Sequence, residues 1–379
     1  MGDLATEQRA LVETVRDFAQ TELAPHALEW DQAKHFPVDT LHRAGELGLG
    51  GICVAEDVGG LGLTHADAVL IFEELAAGDP SIAAYISIHN MVVGMIDQNG
   101  TDEQRRRFVP ALAAMQSFAS FCLTEPGAGS DSAALTTSAV RDGDEYVLNG
   151  VKQFTSGAGS SSVYFVLART GEAGATGISA ILVPLEAPGL SFGANERKMG
   201  WNAQPTRQVI FENVRVPVGN RIGAEGAGFA QAMRGLSGGR INIGACSVGG
   251  GQWALDKTVR RLADRQAFGR PLAAQEALVF EIADRGTDLQ TARLLLRHAA
   301  QALDAEQADA TVLCAMAKRH ATDAGFAAAN AALQLHGGYG YLAEYGIEKV
   351  VRDLRVHQIV EGANEIMRLI VGRALLDTP

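Results

Sequence analysis

The chain has 379 residues, of which 47% are hydrophobic and 20% charged. At about 150 residues per domain this amounts to roughly two to three domains with a large core, and it excludes a disordered tail, a collagen-like fibre and a disulfide-stapled miniprotein. A net charge of −12 argues against general binding to nucleic acid or anionic lipid, and no apolar run approaches the ~18 residues of a membrane helix.

The N-terminus carries Asp3 and Glu7 and no apolar stretch of the kind found in a signal or transit peptide, so a cytoplasmic location is expected. Gly2 to Thr6 formally fits an N-myristoylation pattern. Thr6 is read instead as a helix cap ahead of Leu11, Val12, Val15 and Phe18, a run that Pro25 ends. Further helices are expected over 39–48, 64–78, 81–99 and 102–115, with a Gly-rich loop from Gly48 to Gly62. Together these make an N-terminal helical domain, 1–117.

From 118 to 224 the pattern changes to short runs rich in β-branched and aromatic residues. These are Tyr146–Leu148, Val163–Leu167, Ile178–Val183 and Gln208–Phe211. Turn signals stand at Asp142-Gly143, Asn149-Gly150, Pro188-Gly189 and Glu212-Asn213, which predicts a small β domain, a barrel or sandwich. Residues 225–379 return to helix, with long segments near 226–262, 273–303 and 306–335 that suit a four-helix bundle. Gly235, Gly238, Gly239 and Gly244 lower helix propensity in the first, and local rules alone break it there. The fold class is therefore α+β, mainly α, in three domains.

Several motifs fail. Gly249, Gly251 and Ala254 fit a loose dinucleotide fingerprint but follow no strand. Gly235-Leu236-Ser237-Gly238-Gly239 has the spacing of a hydrolase elbow, yet the residues before it read as helix. His336 and His357 have no metal-ligand partner at suitable spacing, and no two of Cys53, Cys122, Cys246 and Cys314 are close enough for a zinc or redox pair.

Four motifs survive. Phe121-Cys122-Leu123-Thr124-Glu125-Pro126-Gly127-Ala128-Gly129-Ser130-Asp131 reads as a strand entering a turn rich in backbone N–H groups, suited to an anionic or polar cofactor, or as an ordinary tight connection. Arg265 in Arg265-Gln266-Ala267-Phe268-Gly269 follows a long helix, as a phosphate ligand or a solvated charge. His336-Gly337-Gly338-Tyr339-Gly340 exposes backbone between two helices, or caps one. Ile359-Val360-Glu361-Gly362-Ala363-Asn364-Glu365 sets a carboxylate among apolar residues, a candidate base of raised pKa or a first-turn helix acid; Glu365 suits the latter better.

In this order on an α–β–α chain, the four resemble the acyl-CoA dehydrogenase family over nearly the whole sequence. Within the family, Lys198–Arg207, Gly239–Ile243 and Arg355–Gly362 are similar to the branch acting on isobutyryl-CoA. The resemblance implies FAD bound between the β domain and the bundle, partly across subunits of a homotetramer. Phe121 to Ser130 match the first flavin loop. Phe154, Thr155 and Ser156 match the strand along the isoalloxazine ring. Arg265, Gln275, Glu276 and the Gln334-Leu335-His336-Gly337-Gly338 turn match contacts to the diphosphate and adenosine. Ala363, Asn364 and Glu365 match a further FAD segment, with Ala363 replacing the more usual Ser or Thr.

Ser130, Ser237, Gly238, Gly239, Arg240, Gly362 and Arg373 match substrate positions, the two glycines allowing close passage of acyl-CoA. Glu361 matches the catalytic base. Some branches carry the base just before the arginine at 240, where this chain has Gly239. The implied chemistry is removal of the α-proton by Glu361 with hydride transfer from the β-carbon to flavin N5. The thioester carbonyl is polarised by the Glu361 N–H and a ribityl hydroxyl. Electrons then pass to electron-transfer flavoprotein. The expected reaction is isobutyryl-CoA to methacrylyl-CoA, in valine catabolism. The alternatives are a butyryl- or 2-methylbutyryl-CoA preference, an oxidase-like activity, or a non-catalytic binding protein.

Overall fold

The computed structural model describes residues 5–377; Gly2, Asp3 and most of the myristoylation pattern lie outside them. The first block comprises α1 (Thr6–Phe18), α2 (Ala27–Ala33), α3 (Val38–Glu46), α4 (His65–Gly78), α5 (Pro80–Asn99) and α6 (Asp102–Ala113). Thr6 is the first residue of α1 rather than its cap; Ala5 holds that position and its N–H donates to Gln8 Oε1 at 3.4 Å. Where a capping side chain is present the rule works: Thr64, Asp79 and Thr101 accept from the first-turn N–H groups of α4, α5 and α6. Helix α5 is apolar on nearly every face and buried along most of its length, as expected for a helix with no solvent side.

The middle block is an eight-stranded sheet of β1 (Ala119–Cys122), β2 (Ser138–Asp142), β3 (Glu145–Ser156), β4 (Val163–Arg169), β5 (Ile178–Pro184), β6 (Leu190–Phe192), β7 (Thr206–Pro217) and β8 (Arg221–Ile222). The order is β6-β7-β3-β2-β4-β5-β8, and β1 pairs in parallel with β4. Two expected turns are not turns. Asn149-Gly150 and Glu212-Asn213 lie opposite one another inside β3 and β7, where the register shifts between Leu148 and Gly150. The side chain of Asn149 donates to Asn213 Oδ1 at 3.2 Å and accepts from its N–H at 2.9 Å, so the residues that signal turns pin a bulge instead.

The last block comprises α7 (Gly228–Asp264), a hairpin of β9 (Gln266–Ala267) and β10 (Arg270–Pro271), then α8 (Glu276–Asp304), α9 (Ala310–His336), α10 (Ile347–His357) and α11 (Asn364–Asp377). Helix α7 runs unbroken through its glycines because its neighbours come too close for side chains. A Cβ on Gly249 would meet the carbonyl of Glu73 on α4, and one on Gly251 would meet Gly325 on α9 at 2.9 Å. Packing across these contacts outweighs the roughly 0.5–1 kcal/mol that each glycine costs a helix.

One buried polar cluster joins all three blocks. Lys349 on α10 donates to Asp79, at the start of α5, at 2.9 Å and to Asp353 at 2.8 Å. Asp353 also accepts from the backbone N–H of Trp201 in the loop before β7, at 2.6 Å. Around it, Arg352 pairs with Asp31 on α2 and donates to Met199 O, and Gln204 donates to Ser81 O. The Lys198–Arg207 segment thus docks the β domain onto both helical blocks. Burial disfavours the Lys349 ammonium, but Asp353 and Asp79 outweigh it and hold its pKa above the ordinary lysine range. Lys349→Met leaves two buried carboxylates unpaired, and the expected loss is about 3–5 kcal/mol of unfolding free energy in denaturant titration.

Candidate active site

Helix α10 ends at His357, and the chain reverses through Glu361 at φ 56° and Gly362 at φ 87° before α11 begins. Two consecutive left-handed residues, one of them not glycine, are unusual and cluster at functional sites. The turn throws the Glu361 carboxyl back onto α7, where it rests on Gly239: a Cβ there would overlap Oε2. Both carboxyl oxygens are buried without a hydrogen-bond partner among the described residues. Burial raises the pKa of Glu361 to about 7, while Lys318 and Arg240 pull it down. Arg240 donates weakly to Glu361 O at 3.4 Å. One turn back, burial holds His357 neutral, with a pKa of about 3. It bonds Ser247 Oγ at 2.7 Å through Nδ1 and accepts from Trp201 Nε1 at 3.2 Å. That pairing anchors the end of α10 from which the loop departs.

Beside Gly239 opens a cavity of 820 Å³, within the range of about 300–1,000 Å³ usual for small-molecule sites. Ser237, Gly238, Gly239 and Arg240 line it, as the sequence predicts. Ser237 lies within α7 and its hydroxyl donates to Met233 O at 3.4 Å, so no nucleophile elbow exists there. Ser130, Gly362 and Arg373 are not in the wall, and the Glu361 carboxyl rests behind Gly239 rather than in it; Ile370, one turn before Arg373 on α11, lines the cavity. The opposite wall was not foreseen. It comes from α5 (Met91, Gly94, Met95 and Gln98), from Cys53, and from His65 at the start of α4. His65 is held through Nδ1 by Asp304 Oδ1 at 2.7 Å. The one legible signal was Gly94 inside an otherwise side-chain-rich apolar helix: a Cβ there would meet nothing within 4 Å.

The cofactor-type residues fall into two groups. In the first, Phe121, Cys122, Leu123, Glu125 and Ala128 turn their side chains inward, while Thr124, Pro126, Gly127, Gly129 and Ser130 remain accessible. Glu125 is structural. It pairs with buried Lys152 at 2.8 Å and accepts from Thr136 N and Thr137 N, so its side chain has nothing to offer a ligand. Cys122 likewise lies in the sheet core and accepts from Thr155 Oγ1. Phe154 sits in the left-handed region at φ 57°, where β3 and β7 slip register, and its ring is 64% exposed. Ser156 follows at the end of the strand, largely buried.

In the second group, Arg265, Gln334, Leu335, His336, Gly337 and Gly338 surround a cavity of 420 Å³. Arg265 is exposed, and its side chain makes no hydrogen bond or ion pair among the described residues. The His336 ring donates through Nδ1 to Ala332 O at 2.8 Å, and its backbone oxygen accepts from Arg261 at 3.3 Å. Gln275 is held by Arg270 at 2.8 Å, and neither it nor Glu276 reaches the cavity wall. Phe268, within the Arg265–Gly269 motif, is a further candidate beyond the residues the sequence singles out. It stands 93% exposed at the β9–β10 hairpin tip, left-handed at φ 53° beside Gly269. Asn364 is also internal: buried, with its amide bonded to Lys318, Thr322 and Asp323. Ala363 stands beside it in the turn, and Glu365 reaches solvent.

These residues fit FAD. The exposed Phe154 ring offers an apolar face beside hydroxyls and backbone amides, and Gly127 and Gly129 leave open space where side chains would stand. Arg265 and the bare backbone at Gly337-Gly338 supply charge and N–H groups of the kind a diphosphate takes. None of the first group lines the 420 Å³ cavity.

Comparison with known proteins agrees with this geometry. The family model for the acyl-CoA dehydrogenase N-terminal domain matches residues 5–116, that for the middle domain 120–214, and that for the C-terminal domain 226–376. The chain is 53% identical over 373 residues to a mitochondrial isobutyryl-CoA dehydrogenase of Bos taurus, covering 98% of this chain and 90% of the relative. It is 52% identical, with the same coverage, to that of Dictyostelium discoideum. The butyryl-CoA dehydrogenase of Megasphaera elsdenii superposes with a TM-score of 0.96 at 34% identity, over 99% of this chain and all of that one. The chain belongs to the acyl-CoA dehydrogenase family of FAD-dependent oxidoreductases.

Proposed function

We propose that this protein dehydrogenates short branched acyl-CoA thioesters at the α,β bond, with isobutyryl-CoA its best substrate and methacrylyl-CoA the product. The carrying observation is Glu361: a carboxyl with both oxygens buried and unpartnered, turned onto a glycine at the wall of the larger cavity. The branch assignment rests on the 53% and 52% identities to isobutyryl-CoA dehydrogenases.

In this reading the acyl-thioester lies in the cavity along Ser237–Arg240, with its α-carbon facing Glu361. Glu361 accepts the α-proton; an oxygen already engaged in a hydrogen bond would be a weaker base. The Glu361 N–H donates to no acceptor within the protein among the described residues, and it is left to polarise the thioester carbonyl as the α-carbon gives up its proton. Bound FAD supplies the acceptor for the hydride that leaves the β-carbon. Burial of the site excludes water from the carboxylate and strengthens both interactions. Gly239 leaves Glu361 as the base, since the alternative position has no side chain.

The two separate cofactor groups support an arrangement in which each FAD is held by Phe154–Ser156 of one subunit and by Arg265, Phe268 and Gln334–Gly338 of another. This matches the expected homotetramer and gives exposed Phe268 a surface to meet. Electrons are proposed to leave for electron-transfer flavoprotein.

Three outcomes follow. Glu361→Gln keeps the size of the side chain and removes the proton acceptor. The purified variant is expected to stay yellow, and its flavin reduction by acyl-CoA in anaerobic rapid mixing to slow by roughly 10²–10⁴-fold. Near wild-type bleaching would assign the base elsewhere. In the unmodified enzyme only ionised Glu361 accepts a proton, and its pKa is raised to about 7. The single-turnover rate should therefore fall about tenfold per pH unit below that value and level off above it. Across C4 to C12 thioesters, kcat/KM is expected to peak at isobutyryl-CoA, with n-butyryl- and 2-methylbutyryl-CoA within the roughly 10–200-fold that one methylene provides. A maximum at C8 or longer overturns the branch assignment and leaves the reaction intact.

A further inference from the structure

Glu361 lies close to two cations and pairs with neither through its carboxylate. Arg240, from α7, reaches the backbone oxygen of Glu361. Lys318 is fully buried in the middle of α9, among Ala315, Ala317 and Ala321. An ammonium in such a place is strongly disfavoured unless something compensates it. Its hydrogen bonds go to neutral acceptors, Gly362 O at 2.8 Å and Asn364 Oδ1 at 3.0 Å, and it forms no ion pair among the described residues.

Both acceptors belong to the turn that carries Glu361. One turn along α9, Thr322 accepts from Asn364 Nδ2 at 3.0 Å. The next residue, Asp323, accepts from Asn364 Nδ2 at 2.8 Å and from Gln358 Nε2 at 2.7 Å. The Gln358–Asn364 loop is therefore clamped onto one face of α9, with Lys318 gripping the strained left-handed pair directly.

We propose that Lys318 is the positioning residue of the base: it fixes the Glu361–Gly362 turn by its backbone and sets a positive charge beside the carboxylate without touching it. The ionised form is then favoured while both oxygens stay open to a C–H bond. A contact ion pair would occupy a lone pair and depress the basicity of Glu361 further. This rests on Glu361 being the base.

The charged and titratable groups around Glu361 are Arg240 and Cys246 on α7, Lys318 and Cys314 on α9, and His357 on α10, with Asp323 and Glu365 acting on Lys318. Burial holds Cys246, Cys314 and His357 uncharged near neutral pH, so the two cations alone oppose the burial of Glu361. Burial lowers Lys318 to about 8, while Glu361, Asp323 and Glu365 pull it back up.

The test uses holoenzymes of Lys318→Met, Lys318→Gln and Lys318→Arg, matched for flavin content. The readout is the pH profile of anaerobic flavin reduction by isobutyryl-CoA. The Gln variant keeps a donor for the turn and removes the charge, so it reads the charge if the Met variant does not hold flavin. Both neutral variants are expected to shift the acid limb upward by about one pH unit or more, slowing reduction about tenfold on the acid side, and the Arg variant to restore it. An acid limb within about 0.2 unit of wild type in a neutral variant, with the defect confined to melting temperature or KM, overturns the proposal and leaves Glu361 as the base. Rapid bleaching of Glu361→Gln overturns both readings.

Discussion

Everything in this molecule hangs on a lysine buried between two aspartates. Lys349 joins Asp79, which caps α5, to Asp353 on α10, and Asp353 takes the N–H of Trp201 from the β domain. None of the three side chains has appreciable access to water. The cluster is costly to bury and costly to break, so it admits one relative placement of the three domains. That placement matters because the larger cavity is walled by α5 and α7, while the loop bearing Glu361 leaves the end of α10. The wall, the helix opposite it and the base loop are positioned by residues of the same network.

Glu361, the proposed base, shows how a fold resolves conflicting demands on one carboxyl group. Accepting a proton from carbon requires free lone pairs and a pKa above that of an ordinary glutamate, and both call for a dry, unpartnered setting. Such a setting alone would leave the group protonated at neutral pH. Two cations that bind backbone near Glu361, rather than its carboxylate, moderate the shift. The strain of a left-handed glutamate is borne by the bonds from α9 and α7 to the turn.

The domain order and the long helices are legible in the sequence because they rest on local signals, helical periodicity and clusters of short strands, and a carboxylate among apolar residues singles out Glu361. It misled where one signal has two uses. Asn149-Gly150 and Glu212-Asn213 read as turns and prove to be facing halves of one bulge, since Asn and Gly suit positive φ wherever it is required. Glu125 and Asn364 sit in motifs recognised as cofactor segments, yet their side chains hold the protein to itself. The Lys198–Arg207 segment, which resembles the isobutyryl-CoA branch, is a docking loop between domains, and Trp201 packs behind Ile243 and Val360 rather than facing the cavity. The wall from α5 is hard to read for a different reason. Most of the helix is buried, and Gly94 is the one local mark of the side that meets the cavity.

The contact between Gly239 and Glu361 also constrains substitution on α7. The first carbon of any side chain at 239 would overlap the carboxyl of Glu361. That carboxyl is the free end of a flexible side chain, so it would have to swing away from α7 to make room. A side chain at 239 and the present placement of the Glu361 carboxyl therefore exclude one another, and the glycine holds the carboxyl where it stands.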